Sequence, residues 1–152
     1  MVHADFWSNK KVFITGHTGF KGCWLSLWLY SLGAQITGYA LDPFSDPNLF
    51  SALTIENYIN DNRSDICNFS SLKSVIKSSE PEIVIHMAAQ SLVRESYIDP
   101  VQTYATNVMG TVNLLQVARS CDSVRVILII TSDKCYENRE IDYAYTESDP
   151  IG

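Results

Sequence analysis

The segment from Lys11 to Gly22, KVFITGHTGFKG, constrains the fold of this chain more than any other. A short apolar run ends in three glycines spaced three apart, Gly16, Gly19 and Gly22, and a long apolar-rich stretch follows. The pattern predicts a strand, a tight turn and a helix. A diphosphate can reach the backbone N–H groups of a helix N-terminus only where side chains are absent, so the turn favours a dinucleotide site. A glycine-rich turn without a ligand would carry the same residues, and the turn alone leaves both interpretations open.

The composition favours one folded domain. The chain has 152 residues, of which 46% are hydrophobic, and its formal net charge is −6. Because Lys and Arg form no cluster, we expect no nucleic-acid surface. No apolar run reaches the roughly 18 to 20 residues that span a bilayer, and the first ten residues lack the apolar core of a signal peptide. We therefore expect a cytoplasmic protein that binds no membrane.

The cysteines and histidines predict no metal centre. They lie far apart, without a C-x-x-C pair or the spacing of zinc ligands. The cysteine spacing also fits no disulfide framework, so we expect reduced thiols. The residues concerned are Cys23, Cys67, Cys121, Cys135, His3, His17 and His86.

Apolar runs predict five strands. The runs are Lys11–Thr15, Gln35–Leu41, Tyr58–Asn60, Glu82–Met87 and Val124–Ile130. The last run, VRVILII, is almost wholly apolar, so we expect it to be buried on both faces of a complete sheet and to form an unprotected edge where later strands are missing.

Helical spacing predicts three main helices between these strands. The first covers Phe20–Leu32 and ends at Gly33, with both of its tryptophans, Trp24 and Trp28, in the core. The second is capped by Ser70 or Ser71 and ends before Pro81. The third covers Pro100–Ser120 and is expected to turn an apolar stripe inward. The stripe contains Val101, Tyr104, Ala105, Val108, Val112, Leu115, Val117 and Ala118.

The alternation of strands and helices predicts an α/β fold. Right-handed crossovers give a Rossmann-like, doubly wound parallel sheet of order 3-2-1-4-5, with a cleft between the first and fourth strands. An acidic residue after the second strand, here Asp42, is expected to hold the adenosine ribose. After Tyr136 the chain turns polar without another strand. We therefore expect residues 1–152 to be an incomplete NAD(P)-binding domain, truncated before its last strands and a substrate lobe.

Four motifs carry a resemblance to a known family. They are GHTGFKG from residue 16, HMAAQ from residue 86, TYATNVMGT from residue 103 and TSDKCYENRE from residue 131. Together they resemble the extended short-chain dehydrogenase/reductases and, within these, the nucleotide-sugar 4,6-dehydratases, particularly the branch that acts on CDP-glucose. The resemblance implies bound NAD, with NADP as the other possibility, a nucleotide-sugar substrate and a homo-oligomeric full-length protein.

The resemblance also implies the residues of a cofactor site. Asp65 and Ile66 would contact the adenine, and the other residues would hold the rest of the dinucleotide. Together with Asp42, the implied set is Gly16, Thr18, Gly19, Phe20, Lys21, Gly22, Asp65, Ile66, Ala88, Ala89, Gln90, Thr106 and Thr131.

Three residues after the fifth strand would face the sugar. In the reaction that the family catalyses, oxidation at C4 of the glucose acidifies the C5 proton, water leaves from C5 and C6, and a hydride returns to C6. The resemblance implies that Ser132 binds the C4 oxygen, Asp133 protonates the departing hydroxyl and Lys134 removes the C5 proton. A lysine can act as a base only where burial or a neighbouring cation lowers the pKa of its ammonium group.

The catalytic Tyr-x-x-x-Lys pair of this superfamily has no match in the chain. Tyr143 and Tyr145 are not followed by a lysine four residues later, so we expect these 152 residues alone to be inactive. Two alternatives stay open. One is another extended short-chain enzyme, such as a nucleotide-sugar epimerase or reductase, and the other is a noncatalytic dinucleotide-sensing module.

Overall fold

A five-stranded parallel sheet forms the centre of the fold. A computed structural model describes residues 4–140 and 142–152 of the protein. The strands follow the order β3-β2-β1-β4-β5, which confirms the predicted Rossmann-like, doubly wound sheet. They are β1 (Lys11–Thr15), β2 (Gln35–Ala40), β3 (Asn60–Arg63), β4 (Ile83–His86) and β5 (Val126–Ile129).

Helices fill the connections between the strands. They are α1 (Ala4–Trp7), α2 (Phe20–Ser31), α3 (Leu49–Ala52), α4 (Phe69–Ser79), α5 (Val93–Ile98), α6 (Pro100–Tyr104) and α7 (Gly110–Ala118). A π-helical turn, Ala105–Met109, joins α6 to α7, and 3-10 turns cover Ile55–Asn57 and Asp133–Cys135. No helix among the described residues is long and apolar enough to cross a membrane.

Two local predictions differ from the structure. The third strand begins at Asn60 rather than Tyr58, because its residues, NDNR, form a partly exposed edge of the sheet that carries no apolar run. The cap of α4 is Asn68 rather than Ser70 or Ser71. The Asn68 amide oxygen accepts a hydrogen bond from the backbone N–H of Ser71 at 3.1 Å, which satisfies one of the free donors of the first turn.

The core lies on both faces of the sheet. Successive strand residues point to opposite faces, so Phe13 packs with Leu114 of α7 on one side, while Ile14 packs with Leu29 of α2 on the other. Val12 to Thr15 are all buried. Strand β1 is therefore the buried centre of the sheet, and the glycine turn that follows it starts from a fixed point.

The burial of the tryptophans was predicted wrongly, whereas the exposed edge of the sheet at β5 agrees with the expectation for a truncated sheet. Trp24 and Trp28 are 50% and 52% exposed. Strand β5 is the other edge of the sheet, and its four residues are all exposed. Trp28 and Leu128 line one apolar groove of about 520 Å³, so both belong to a surface that the described residues leave uncovered.

Most of the apolar stripe of the third predicted helix points outward rather than inward. Val101 and Tyr104 are 79% and 68% exposed, and Val108 and Val112 are also exposed. Val117 and Ala118 are buried as predicted, on a stripe that also includes Leu114 and packs towards α4. Apolar spacing identified the helix but could not tell which of its two apolar faces meets the sheet.

Candidate functional site

A cavity of about 530 Å³ lies where β1 and β4 separate at the carboxyl edge of the sheet. Strand β1 is followed by a crossover to β2, and β4 by a crossover to β5 on the opposite side. Open parallel sheets bind ligands at such a switch point. Most of the predicted cofactor residues line this cavity: Gly16, Thr18, Gly19, Phe20, Lys21, Gly22, Asp65, Ile66, Ala88, Ala89, Thr106 and Thr131. Their binding of a cofactor stays a prediction.

The glycine turn brings backbone against backbone. Gly16 has a φ of +75°, which other residues rarely adopt, and a Cβ there would lie 2.8 Å from the backbone nitrogen of Ala88. A Cβ on Gly22 would overlap the carbonyl oxygen of Gly16. A Cβ on Gly19 would lie 3.4 Å from that oxygen, at ordinary contact distance. Gly16 and Gly22 are therefore required by the turn itself, whereas Gly19 is free of that constraint.

The N-terminus of α2 fits a diphosphate group. The first intrahelical hydrogen bond runs from the Cys23 N–H to the Gly19 carbonyl at 2.9 Å, so the N–H groups of residues 20–22 have no partner within the helix. These residues line the cavity. The helix dipole makes this end positive, and Lys21 adds a formal charge. Backbone donors without side-chain obstruction are what a dinucleotide diphosphate requires.

The structure brings Asp65 to the cavity and leaves Asp42 outside its lining. The Asp65 carboxylate accepts a hydrogen bond from the backbone N–H of Cys67 at 2.8 Å, which orders the loop after β3. The Asp42 side chain is 88% exposed and pairs with the Arg63 guanidinium at 3.2 Å. An exposed pair of this kind contributes little to stability, so Asp42 can rearrange at little cost.

His17 is a contributor that the sequence interpretation did not identify. Its side chain is fully buried, and Nε2 lies 2.7 Å from Oδ1 of Asp61 on β3. A carboxylate only accepts hydrogen bonds, so Nε2 carries the proton. Burial lowers the pKa of His17, while the nearby Asp61 opposes that shift. The ring also lies against Gly38, where a Cβ would come 2.5 Å from Cγ. His17 thus connects the glycine turn to β2 and β3. Gly38, a glycine inside a strand, was the sequence signal that could have indicated this close contact.

The opposite wall is held by polar side chains. The hydroxyl of Thr15 accepts hydrogen bonds from the backbone N–H groups of Met87 and Ala88, each at 3.0 Å. The Asn107 side chain bonds both backbone groups of Gln90, accepting from N–H at 2.8 Å and donating to the carbonyl at 2.9 Å. Gln90 is not part of the cavity lining. Its backbone instead fixes the end of the wall that contains Ala88.

The predicted sugar-facing residues follow β5 beside the cavity. Thr131 lines it, Ser132 follows, and the 3-10 turn covers Asp133–Cys135. Ser132 and Lys134 are exposed, and the Lys134 N–H donates to the Ser132 hydroxyl at 3.3 Å. The Asp133 side chain lies outside the described part of the structure. Their catalytic roles stay predictions.

Sheet order, glycine turn and cavity together define a Rossmann-type α/β protein. Residues 13–152 match the family model described as GDP-mannose 4,6 dehydratase. The chain belongs to that family, which agrees with the resemblance drawn from the motifs.

Individual relatives extend the comparison. The chain is 49% identical over all its 152 residues to CDP-glucose 4,6-dehydratase of Salmonella typhimurium, and covers 42% of that protein. It is 30% identical over 112 residues to dTDP-glucose 4,6-dehydratase of the same organism, covering 72% of this chain and 31% of the relative. The chain thus spans less than half the length of these curated relatives.

A solved structure shows the same fold. UDP-glucose 4-epimerase from Brucella ovis, in complex with NAD, superposes with a TM-score of 0.79 at 24% identity. The match covers 95% of this chain and 42% of the epimerase.

Substitution of Gly19 should separate ligand binding from folding. Its backbone, at φ −75° and ψ 164°, suits any residue, and an added methyl group meets only the Gly16 carbonyl oxygen, at contact distance. For Gly19→Ala in the complete protein we expect a nearly unchanged Tm. We also expect affinity for NAD to fall about tenfold or more in isothermal titration calorimetry, because the methyl group obstructs the diphosphate.

Gly22→Ala is the contrasting variant. Its methyl group would overlap the Gly16 carbonyl, so both Tm and affinity should fall. Wild-type affinity in Gly19→Ala would show that no diphosphate approaches this turn.

Proposed function

We propose that the complete protein containing this chain is a nucleotide-sugar 4,6-dehydratase that converts CDP-glucose to CDP-4-keto-6-deoxyglucose. The observation that carries the proposal is the 49% identity to a CDP-glucose 4,6-dehydratase over every residue of the chain. The choice of CDP over other nucleotides rests on that identity, because the chain covers only 42% of the relative.

NAD is the proposed cofactor, with NADP as the other possibility. The cavity supports a dinucleotide: it combines a side-chain-free approach at Gly19, unpaired donors at the N-terminus of α2 and a pocket beside Asp65 and Ile66. When bound, NAD would supply the redox chemistry by accepting a hydride from C4 of the sugar and returning it to C6. Asp42, which lies outside the cavity lining, is proposed to bind a ribose hydroxyl after leaving its exposed ion pair with Arg63.

Residues 132–134 are proposed to hold the sugar and to transfer the two protons that the dehydration requires. Ser132 donates a hydrogen bond to the C4 oxygen and so holds the sugar beside the cavity. Loss of water from C5 and C6 needs a proton on the departing C6 oxygen, which Asp133 gives, and removal of the C5 proton, which Lys134 accepts. The position of all three directly after Thr131, which lines the cavity, supports these roles. Lys134 is exposed in the described part of the chain, so its role as a base requires that the complete protein with its bound substrate buries this side chain.

The complete protein should convert CDP-glucose to a product that is lighter by one water and carries a C4 ketone. Mass spectrometry with CDP-glucose, dTDP-glucose and GDP-mannose as parallel substrates tests this expectation. Absence of product from CDP-glucose would refute the leading proposal. A C4 epimer without loss of water would favour an epimerase, and binding of NAD without turnover of any sugar would favour a sensing module.

Lys134→Ala in the complete protein should abolish exchange of the sugar C5 proton, with a loss of about 100-fold or more, because the variant lacks the proposed base. Proton NMR of the substrate in deuterated water measures this exchange. Lys73→Ala, which removes an exposed lysine of α4, is the matched control and should retain the wild-type rate. Exchange at the wild-type rate in Lys134→Ala would exclude Lys134 as the base.

The proposal includes a homo-oligomer, in which the exposed stripe of α6, the π-turn and α7 meets a second copy. Its apolar residues recur three or four positions apart, and the first three of them line a shallow apolar groove with Pro100 and Met109. A continuous helical stripe is self-complementary across a two-fold axis. The exposed members of the stripe are Val101, Tyr104, Val108 and Val112.

A charge in this stripe should dissociate the oligomer. Val101 is 79% exposed, so Val101→Glu should leave the protomer folded while burying a carboxylate in the proposed interface. Light scattering during size-exclusion chromatography should then report monomers. Ser74→Glu on the exposed face of α4 is the control and should keep the wild-type mass. An unchanged mass for Val101→Glu would exclude this stripe as the interface.

The domain is proposed to be incomplete in these 152 residues. The exposed edge strand β5 and the groove that Trp28 shares with Leu128 would be covered by further parts of the complete protein. A cytoplasmic location belongs to the same proposal. It is supported by the cysteines, which are all free thiols, as reducing compartments favour.

A further inference from the structure

A line of hydrogen bonds passes through the buried side chain of His86, behind the cavity wall. The Thr15 hydroxyl lies 2.7 Å from His86 Nδ1, and His86 Nε2 lies 2.9 Å from the Thr111 hydroxyl. The Thr111 hydroxyl donates to the carbonyl of Asn107 at 2.7 Å. The line therefore connects β1, β4 and the helical run that contains the π-turn.

The direction of each hydrogen bond follows from the partners at the two ends. The Thr15 oxygen already accepts from two backbone N–H groups, so its own proton must point to Nδ1 of His86. At the other end, the Thr111 proton is donated to a carbonyl, so the hydroxyl oxygen can accept from Nε2. Only the neutral ring with its proton on Nε2 satisfies every bond.

The line ends at groups that shape the cavity. Thr15 holds the backbone of Met87 and Ala88, and Asn107 clamps Gln90. The π-turn interrupts the regular helical ladder, and such interruptions leave carbonyl groups that need other donors. The Thr111 hydroxyl donates to one carbonyl of this turn, that of Asn107. Both anchors of the wall therefore depend on the ring of His86.

We propose that His86, held as the Nε2-protonated tautomer by Thr15 and Thr111, is a positioning residue that fixes the Ala88–Gln90 wall against the bound dinucleotide. The role rests on the proposed function, because the dinucleotide is the ligand that the wall contacts. His86 itself does not line the cavity.

The surroundings of the ring keep it neutral. The residues that bond or pair with His86 are Thr15 on β1, Thr111 on α7 and Ile129 on β5, all of them uncharged. Burial lowers its pKa below the usual value of about 6.5. The unfolded state therefore binds a proton that the folded state does not, and the contribution of His86 to stability falls as the pH drops below about 6.5. A proton on Nδ1 would point at the Thr15 hydroxyl. The Thr15 oxygen already accepts two hydrogen bonds, so it could not accept a third from Nδ1.

A double-mutant cycle in the complete protein tests the connection. Thr111 does not line the cavity, yet Thr111→Val should weaken NAD binding about fivefold, because the wall loses one anchor. Thr15→Val should weaken it by a similar or larger factor. The two sites share His86 as a partner, so in the Thr15→Val background the Thr111→Val change should have almost no further effect. Thr111→Ser, which keeps the hydroxyl, should restore wild-type affinity.

Nitrogen-15 NMR of the histidine rings supplies an independent readout, which does not require a His86 variant to fold. We expect His86 to carry a proton on Nε2 alone at neutral pH and to keep this state below pH 6.5. A proton on Nδ1 of His86 would overturn the positioning role alone. Additive losses of NAD affinity in the double-mutant cycle would do the same, provided that the wild-type protein binds NAD. A wild-type protein that binds neither NAD nor NADP would overturn the proposed function and, with it, the role of His86.

Discussion

The close approach of backbone to backbone at Gly16 is the constraint on which the rest of the structure depends. The end of β1, the start of α2 and the end of β4 meet there without side chains between them. Because β1 is buried along its length, the turn cannot move to relieve a clash. The cavity exists because three elements converge this closely while Gly19 and Ala89 leave open space at its edge.

Two buried histidines support this convergence from opposite sides. His17 ties the turn to β3 through Asp61, whereas His86 links β4 to β1 and to the helical run. They differ in electrostatics, since His17 faces a carboxylate and His86 faces only hydroxyl groups. Each ring therefore serves a separate wall of the same cavity.

Sequence patterns identified the parts of the fold that repeat. The strand-turn-helix around Gly16 and the sheet order follow from periodicity and crossover handedness, so both were predictable. Strand β3 was misplaced because an edge strand with the sequence NDNR has no apolar run. The outward stripe at Val101 and the exposure of Trp28 were missed because periodicity shows that a face is apolar but not what covers it. The roles of His17 and His86 depend on contacts between residues distant in sequence, which no local pattern contains.

The packing of His17 on Gly38 has an evolutionary consequence. The imidazole fills the space that a side chain in the middle of β2 would need, so the two positions compete for one volume. A lineage that replaces the histidine by a smaller residue gains room for a larger residue in the strand, while one that keeps it must keep glycine. The two positions are expected to change together, although only one of them lies in the glycine turn.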